Sequence, residues 1–249
     1  MKVKTILVSQ PEPKEDQQSP FSIFSEKQKV KVDFRSFIHV EGLTVRDVRN
    51  QKIDLSKYSA IILTSRNAVD HFFRIAEEMR YKVPNELKYF CQSEAVAYYL
   101  QKYVVYRKRK IYVGKRTFPE LCEILKKHKT EKYLLPSSDM LKDAIPQALD
   151  DLDLQWRRVD LYRTVTSDLS DLENVFYDVL VFFSPSGIHS LFKNFPEFKQ
   201  NNTRIAVYGN STVKAATDAG LKVDISAPSP ENPSMTMALE KYIKEVNKK

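Results

Sequence analysis

A strand–turn–helix pattern occurs twice in this chain without a gap, at Tyr58–Phe73 and at Tyr177–Phe192. In each copy a tyrosine precedes a short apolar run, a serine follows, and a polar turn leads into an apolar helix face. A strand that runs directly into a helix is half of a βαβ unit, so each copy predicts part of a parallel sheet. The repetition at long spacing predicts two similar α/β units in one chain.

Two fainter repeats support the same organisation. Phe90–Ala95 and Val207–Val213 both lead from an apolar run into a helix-like stretch. Ile6–Gln10 and Leu134–Ser138 both end an apolar run in polar residues. These pairs predict that further strands of the two units correspond.

Short apolar runs alternate with helix-like stretches along the chain. The predicted strands are Thr5–Val8, Ala60–Leu63, Tyr89–Cys91, Tyr133–Leu135, Val179–Phe183 and Ile205–Tyr208. The predicted helices are Val69–Met79, Glu94–Gln101, Leu121–Lys127, Ala144–Leu152, Ile188–Phe192, Thr212–Ala219 and Met235–Val246. Continuous apolar runs of this length suit strands that are covered on both faces, and the alternation predicts parallel sheets. Two extended segments without helical period, Ser36–Glu41 and Val159–Val165, are predicted to be strands that link two domains.

Length and composition fit a soluble two-domain protein. The 249 residues suffice for two domains of roughly 120 residues each. The apolar run at the N-terminus stops at Ser9, which is too early for a signal peptide and predicts a buried first strand. Cys91 and Cys122 form neither a metal-binding spacing nor a disulfide framework. We therefore expect a cytoplasmic protein, with no membrane partner.

The net charge of +8 favours anionic partners, and the densest basic run is Arg107–Lys110. Such short runs are usually solvated, so an exposed strand or turn is the favoured interpretation. Binding to nucleic acid is the alternative, but no aromatic-interleaved basic helix or nucleic-acid motif accompanies the run. We expect no nucleic-acid partner.

The common cofactor motifs are missing from the sequence. Its five glycines form neither GxGxxG nor a P-loop, and no GxSxG motif occurs. Its four histidines form no HxH or HxxxH pair. The sequence therefore predicts no nucleotide cofactor and no metal.

Hydroxyl-rich turns follow several of the predicted strands. They are Thr64–Asn67, Ser184–Gly187, Tyr208–Thr212 and, less clearly, Gln92–Ser93. In a parallel sheet such turns lie at the carboxyl edge, and helix N-termini there suit anions. Ser65, Ser186 and Thr212 could equally be helix N-caps, so the pattern leaves capping and anion binding open. Tyr162, in an extended segment, could be a packing residue or a proton donor.

In combination, these segments resemble the uroporphyrinogen-III synthase family. The matching pieces are Ile61–Ser65 with Ala68 and Val69, Leu161–Thr164, Val179–Ser186, Ile205–Thr212 with Gly220, Ala227–Pro230, and Ala238 with Leu239. They span most of the chain in the order that the family shows.

The resemblance implies two similar parallel-sheet, three-layer domains joined by a two-stranded connector. The first domain would be discontinuous, formed by Met1–Arg35 and Thr166–Lys249. The second would be Gly42–Arg158. Ser36–Glu41 and Val159–Val165 would be the connector strands. The substrate would lie between the domains.

The resemblance also implies the reaction. Hydroxymethylbilane, a linear tetrapyrrole with many carboxylates, would lose its terminal hydroxyl as water and close with inversion of ring D. No cofactor is implied, and we expect a monomer. The implied catalytic residue is Tyr162, which would assist departure of the hydroxyl. The implied substrate-binding residues are Thr64, Ser65, Arg66, Ser93, Ser184, Ser186, Arg204, Gly209, Ser211 and Thr212.

One turn departs from the family pattern. Where the family often has Gly and Thr, this chain has Cys91-Gln92-Ser93-Glu94, and an acidic neighbour is unexpected for a polycarboxylate. A non-catalytic binding protein for an anionic small molecule is the alternative function.

Overall fold

The computed structural model describes residues 2–13, 19–141 and 143–247 of the chain. Its strands are β1 (Thr5–Val8), β2 (Lys31–Phe34), β3 (Ile38–Gly42), β4 (Ala60–Leu63), β5 (Lys88–Cys91), β6 (Ile111–Val113), β7 (Lys132–Ser138), β8 (Gln155–Thr166), β9 (Val179–Phe182), β10 (Arg204–Tyr208) and β11 (Val223–Ala227). Its helices are α1 (Pro20–Gln28), α2 (Val45–Asn50), α3 (Arg66–Glu78), α4 (Glu94–Leu100), α5 (Phe118–Leu125), α6 (Ala144–Asp151), α7 (Pro185–Asn194), α8 (Asn210–Asp218) and α9 (Met235–Asn247). Short 3-10 helices lie at Leu55–Lys57, Lys126–His128 and Ser170–Leu172.

The chain packs into two compact units. Unit 1 is Met1–His39 with Val165–Lys249, and unit 2 is Val40–Thr164. The chain therefore leaves unit 1 within β3 and returns within β8, and these two strands are neighbours in one sheet. Unit 1 is discontinuous because all of unit 2 is inserted between β2 and β9.

Both sheets have the same strand order. The sheet of unit 1 runs β11-β10-β9-β1-β2, and that of unit 2 runs β6-β5-β4-β7-β8 with β3 added beyond β8. The pairs within these five-strand series are parallel. When the two strand orders are aligned, β9 corresponds to β4, β10 to β5 and β1 to β7. This correspondence agrees with all three repeats in the sequence.

Each unit has three layers. In unit 2, α3 and α4 cover one face of the sheet, while α5 and α6 cover the other. In unit 1, α7 and α8 cover one face, while α1 and α9 cover the other. Alternate residues of β1 enter opposite cores, Ile6 and Val8 on one side and Leu7 on the other, because strand side chains alternate between faces. The fold class predicted from the sequence is confirmed.

The prediction missed α1, α2, β2, β6 and β11. The missed strands are sheet edges. An edge strand has a neighbour on one side only and is only partly covered, so it needs no continuous apolar run. Strand β2 shows this directly, because none of its four residues is buried. The basic run Arg107–Lys110 forms a largely exposed turn before β6, as its favoured interpretation predicts.

Candidate active site

The strand order of each unit reverses at one point, and open α/β sheets bind ligands outside the carboxyl ends of the strands at such points. In unit 2 the reversal lies between β4 and β7, and in unit 1 between β9 and β1. Every strand that flanks a reversal ends in a hydroxyl-bearing turn: Thr64 and Ser65 after β4, Ser137 and Ser138 in β7, Ser184 after β9, and Ser9 after β1.

In unit 2 the geometry brings Ser65 and Tyr162 together. Ser65 is the N-cap of α3, where its Oγ accepts a hydrogen bond of 3.1 Å from the Ala68 N–H. The same Oγ lies 3.2 Å from the phenol oxygen of Tyr162, which comes from β8. The N-cap prediction for Ser65 is confirmed, and the residue has a second contact that capping does not require.

The phenol of Tyr162 is buried and held on two sides. The residue is 8% exposed. Its ring stacks on the imidazole of His71, with centroids 4.9 Å apart and planes inclined by 19°. Burial raises the pKa of Tyr162 above its ordinary value, against the opposing effect of the hydrogen bond to Ser65. At neutral pH this phenol is therefore protonated and can act as a hydrogen-bond or proton donor.

His71 is fixed in turn by Arg74 on the same helix. Arg74 Nε donates to His71 Nδ1 at 3.2 Å, so the second ring nitrogen carries the proton. Arg74 Nη2 also donates to the carbonyl oxygens of Leu43 and Leu161, at 2.8 and 3.3 Å. Burial lowers the pKa of His71, and the neighbouring guanidinium lowers it further. A neutral His71 is thus the state that the fold favours. Sequence reasoning did not find His71 or Arg74, because only the tertiary structure places their ring and guanidinium beside Tyr162.

Glycine at position 42 makes room for this arrangement. A Cβ added to Gly42 would lie 2.8 Å from Arg74 Nη2 and 3.0 Å from His71 Cε1, both closer than side chains normally approach. A larger residue would therefore displace the support of Tyr162.

Two cationic groups lie near the carboxyl edge of the unit 2 sheet. Arg66 is the first residue of α3 and is exposed, with its guanidinium carbon 5.4 Å from the centroid of the Tyr99 ring. Arg158 donates from Nε to Ser137 Oγ at 3.0 Å and to Asp160 Oδ1 at 2.7 Å. Arg158 and Ser137 were not predicted, although the sequence had shown that Leu134–Ser138 ends in hydroxyl residues.

In unit 1 the corresponding turn is built around Ser184. This residue, and not Ser186, is the N-cap of α7, and its Oγ accepts from the Gly187 N–H at 3.3 Å. The capping interpretation of Ser186 is therefore wrong, because Pro185 and Ser186 already belong to the helix. A Cβ on Gly187 would lie 3.7 Å from Ser9 Oγ and 3.8 Å from Ser184 Oγ. Ser9, a residue missed as a candidate, thus lies beside the Ser184 turn.

The turn between β10 and α8 is held by Gly209, whose positive φ of 86° favours glycine. Gly209 is also the N-cap, so the capping interpretation of Thr212 is wrong. Thr212 is 1% exposed. Its Oγ1 has no hydrogen-bond partner among the residues that the structure describes. Ser211 is exposed in the first turn of the helix.

Of the two remaining predicted residues, Ser93 lies beside one of these turns and Arg204 does not. Ser93 caps α4 beside the Ser65 turn, since β5 pairs with β4, but its side chain makes no capping hydrogen bond. Arg204 is the first residue of β10 and pairs with Val179, the first residue of β9. It therefore lies at the amino edge of the sheet and is not brought together with Ser184 and Gly209.

Two absences among the described residues bear on the kind of site. Within residues 2–13, 19–141 and 143–247, no three His, Cys, Asp or Glu side chains are grouped as metal ligands would be. None of the helices in that part of the chain has the length and apolar character that a membrane crossing needs.

The fold and the two reversal points define a two-unit α/β protein whose hydroxyl-rich strand ends suit an anionic ligand. A family model described as uroporphyrinogen-III synthase HemD matches residues 25–237. The chain belongs to the uroporphyrinogen-III synthase family, whose members are cyclising lyases of tetrapyrrole biosynthesis.

Solved structures show the same fold. Uroporphyrinogen-III synthetase from Helicobacter pylori is 16% identical, with a TM-score of 0.62 over 98% of this chain and 100% of the other. A mutant uroporphyrinogen III synthase from Thermus thermophilus is 13% identical, with a TM-score of 0.55 over 99% of this chain and 100% of the other. No curated protein sequence matches this chain.

Proposed function

We propose that this protein cyclises hydroxymethylbilane to uroporphyrinogen III, with loss of water and inversion of ring D. Membership of the synthase family supports the reaction. We place the reaction at the reversal point of unit 2 because Tyr162 contacts Ser65 there. A buried, protonated phenol at the carboxyl ends of the strands suits a reaction that begins with the loss of a hydroxyl group.

The proposed chemistry begins at the terminal hydroxymethyl group. Its C–O bond breaks as the electron-rich pyrrole supplies electrons, and the leaving oxygen takes a proton from solvent to depart as water. Tyr162 donates a hydrogen bond to that oxygen. Full proton transfer is unfavourable because burial raises the pKa of the phenol. Inversion of ring D requires that its substituted α-carbon form the first new C–C bond. The old bond from this carbon to its methylene group then breaks, with its electrons returning to ring D, and the methylene carbon bonds to the other α-carbon. That α-carbon releases a proton, so bonds and protons balance without a cofactor.

Positioning supplies most of the acceleration in this proposal, because the pyrrole expels its hydroxyl readily. Holding the reacting carbons together can contribute several kcal/mol to an intramolecular closure. We assign carboxylate binding in each unit separately. In unit 2 it falls to the helix N-terminus at Thr64–Arg66, and in unit 1 to the helix N-terminus at Ser184–Ser186 and the Gly209–Thr212 turn. The first N–H groups of a helix have no intrahelical partner, and the helix dipole favours an anion there. The buried Thr212 hydroxyl, which lacks a hydrogen-bond partner within the described part of the chain, supports the third assignment.

The test supplies purified protein with freshly generated hydroxymethylbilane and separates the product isomers by chromatography after oxidation. We expect isomer III to predominate, at a rate that increases with protein concentration. Heat-denatured protein is the control for spontaneous closure. If isomer I alone forms, at the spontaneous rate, the proposed function is wrong. Binding of the substrate without turnover would favour the alternative of a binding protein.

We also propose that the protein acts as a monomer in the cytoplasm. Both reversal-point sites belong to one chain, and the two buried cysteines are free thiols, which fits a reducing compartment. Sedimentation analysis tests whether the protein is a monomer, and cell fractionation tests whether it lies in the cytoplasm.

A further inference from the structure

A pocket lies at the amino edge of the unit 2 sheet, opposite the edge that carries Ser65 and Ser93. It has a volume of about 350 Å³, and Leu87 and Lys110, the residues just before β5 and β6, are among those that line it. Strand β5 separates this amino edge from the carboxyl edge by roughly 13 Å, at about 3.3 Å per residue. The pocket is therefore distinct from the proposed active site.

The pocket has an aromatic wall whose rings are held by contacts within the protein. Tyr103 and Phe73 both line it, and their rings are parallel, with centroids 4.5 Å apart and planes inclined by 2°. The hydroxyl of Tyr103 donates to Asp70 Oδ1 at 2.6 Å, and this bond is the largest cause that raises the pKa of Tyr103 to about 12. Tyr103 is nevertheless 42% exposed. A fixed, partly exposed ring is a suitable surface on which a planar ligand can stack.

The rim of the pocket is cationic. Arg107 and Lys110 line it, and Lys108 and Arg109 follow Arg107 in the exposed turn. Lys110 is neutralised locally, because its Nζ pairs with Glu86 Oε2 at 2.8 Å and also bonds the Asn85 carbonyl oxygen. Arg107 also acts on the Glu86 carboxylate, whose pKa is lowered first by Lys110 and to a smaller extent by Arg107. Glu86 is nevertheless paired with Lys110, and within the described residues no ion pair of 4.0 Å or less holds the Arg107 guanidinium, so Arg107 is the group that can take an external anion.

Exposed apolar side chains are concentrated beside this rim. Val105 and Tyr106 are 81% and 51% exposed, and Val105 lines the pocket. Aromatic side chains beside basic ones are typical of surfaces that stack a base and bind a phosphate. The sequence shows the basic run, but it could not show that Tyr103 and Tyr106, which precede the run, are exposed.

We propose that this pocket binds an aromatic anion of the size of a mononucleotide, with its ring against Tyr103 and its phosphate on Arg107. The volume lies at the low end of small-molecule sites, which suits one ring system with its phosphate. Arginine suits phosphate because its planar guanidinium donates two parallel hydrogen bonds. The ligand chemistry is a base with a phosphate, whether it belongs to a free nucleotide or to the end of a single strand.

The experiment is a calorimetric titration of the full-length protein with AMP. We expect saturable binding that Arg107→Gln and Tyr103→Leu each weaken by roughly tenfold or more. The matched control is Lys108→Gln, which removes the neighbouring charge from a residue that does not line the pocket. It should change the affinity by less than about twofold, as exposed charges do. Thermal melting of each variant checks that the fold is intact, and none of the three residues belongs to the proposed catalytic machinery.

Partial ligands test the chemistry of the pocket. Adenosine lacks the anion and ribose 5-phosphate lacks the ring, so both should bind more weakly than AMP. A 5′-phosphorylated single-stranded oligonucleotide, titrated in parallel, distinguishes a strand end from a free nucleotide by its tighter or weaker binding. The proposal is overturned if AMP does not bind at millimolar concentration, if Lys108→Gln weakens binding as much as Arg107→Gln, or if ribose 5-phosphate binds as tightly as AMP.

Discussion

Replacing Tyr162 by phenylalanine removes one oxygen atom from the proposed active site and leaves the ring in place. The phenyl ring can still stack on His71, because the stack involves the ring and not the hydroxyl. Ser65 Oγ loses its contact with the phenol at 3.2 Å but keeps the hydrogen bond from the Ala68 N–H. No buried polar group is left without a partner. The loss of stability should therefore be about 1 kcal/mol, the usual net value of one hydrogen bond.

The expected effect on catalysis follows from the same hydrogen bond. If the phenol donates one hydrogen bond to the leaving oxygen, its removal costs about 1.4 kcal/mol in the transition state, which is a tenfold fall in kcat/KM. Full general-acid catalysis would be worth roughly 10²- to 10⁴-fold. We expect the tenfold fall in kcat/KM, because burial raises the pKa of Tyr162 and disfavours complete transfer of the proton.

The assay measures the rate of formation of isomer III and the ratio of isomer III to isomer I. A slower enzyme leaves more substrate to close spontaneously, so the fraction of isomer I should rise. The matched control is Tyr112→Phe, which removes a hydroxyl that donates to the Arg109 carbonyl oxygen at 3.0 Å and should leave turnover unchanged. Unchanged turnover in Tyr162→Phe would refute the reasoning and make Tyr162 a packing residue. A loss of more than a thousandfold in a stable variant would refute the hydrogen-bond mechanism in favour of proton transfer.

Three further predictions concern the support of the site and of the sheets. Gly42→Ala should lower the free energy of unfolding by about 1–3 kcal/mol in urea titration, because its Cβ would displace Arg74 and His71. A variant as stable as the wild type would show that Arg74 and His71 move aside without cost. Because the folded-state pKa of His71 is lowered, the unfolded chain binds its proton more readily, so stability should fall as pH drops below about 6.5. His71→Gln should flatten that pH dependence in thermal melts, whereas His189→Gln, at an exposed position, should not. If stability varied equally with pH in both variants, His71 would not be its cause. Asp178→Ala should cost about 3 kcal/mol, because the carboxylate accepts from the backbone N–H groups of Lys4 and Thr5 and from the Thr5 hydroxyl at 2.8–3.2 Å. Asp178→Asn keeps an acceptor and should cost less; equal losses for the two variants would mean that the hydrogen bonds are not the cause.

The duplicated pattern predicted the fold because its central strands are buried on both faces. Burial on both faces demands continuous apolar runs, and such runs are visible without any knowledge of the fold. Strand β4 is fully buried and was predicted with its observed limits. Strand β2 was missed because it is an edge strand with no buried residue. Helix α1 was missed because only Phe24 of its nine residues is buried, which leaves a weak apolar stripe.

Only part of the candidate site could be found in the sequence. Ser65 could be identified because capping is a local property of a strand-to-helix turn, and Tyr162 through the family resemblance. Capping was assigned wrongly in two turns, since Ser184 and Gly209 are the N-caps of α7 and α8. The first turn of those helices starts earlier than the apolar face does, so the apolar pattern alone places the cap too late.

The sequence by itself determined that this protein consists of two related α/β units with hydroxyl-rich turns at the ends of their strands. These are local properties, set by the alternation of apolar runs and turn residues, and they occur in both copies of the repeat. The tertiary structure decided which strands flank each reversal point. It also decided that Tyr162 and Ser65, 97 positions apart, meet at 3.2 Å, with His71 behind the phenol. Such contacts depend on the order of strands in a sheet, and that order is fixed by the packing of the whole unit and not by any segment of the chain.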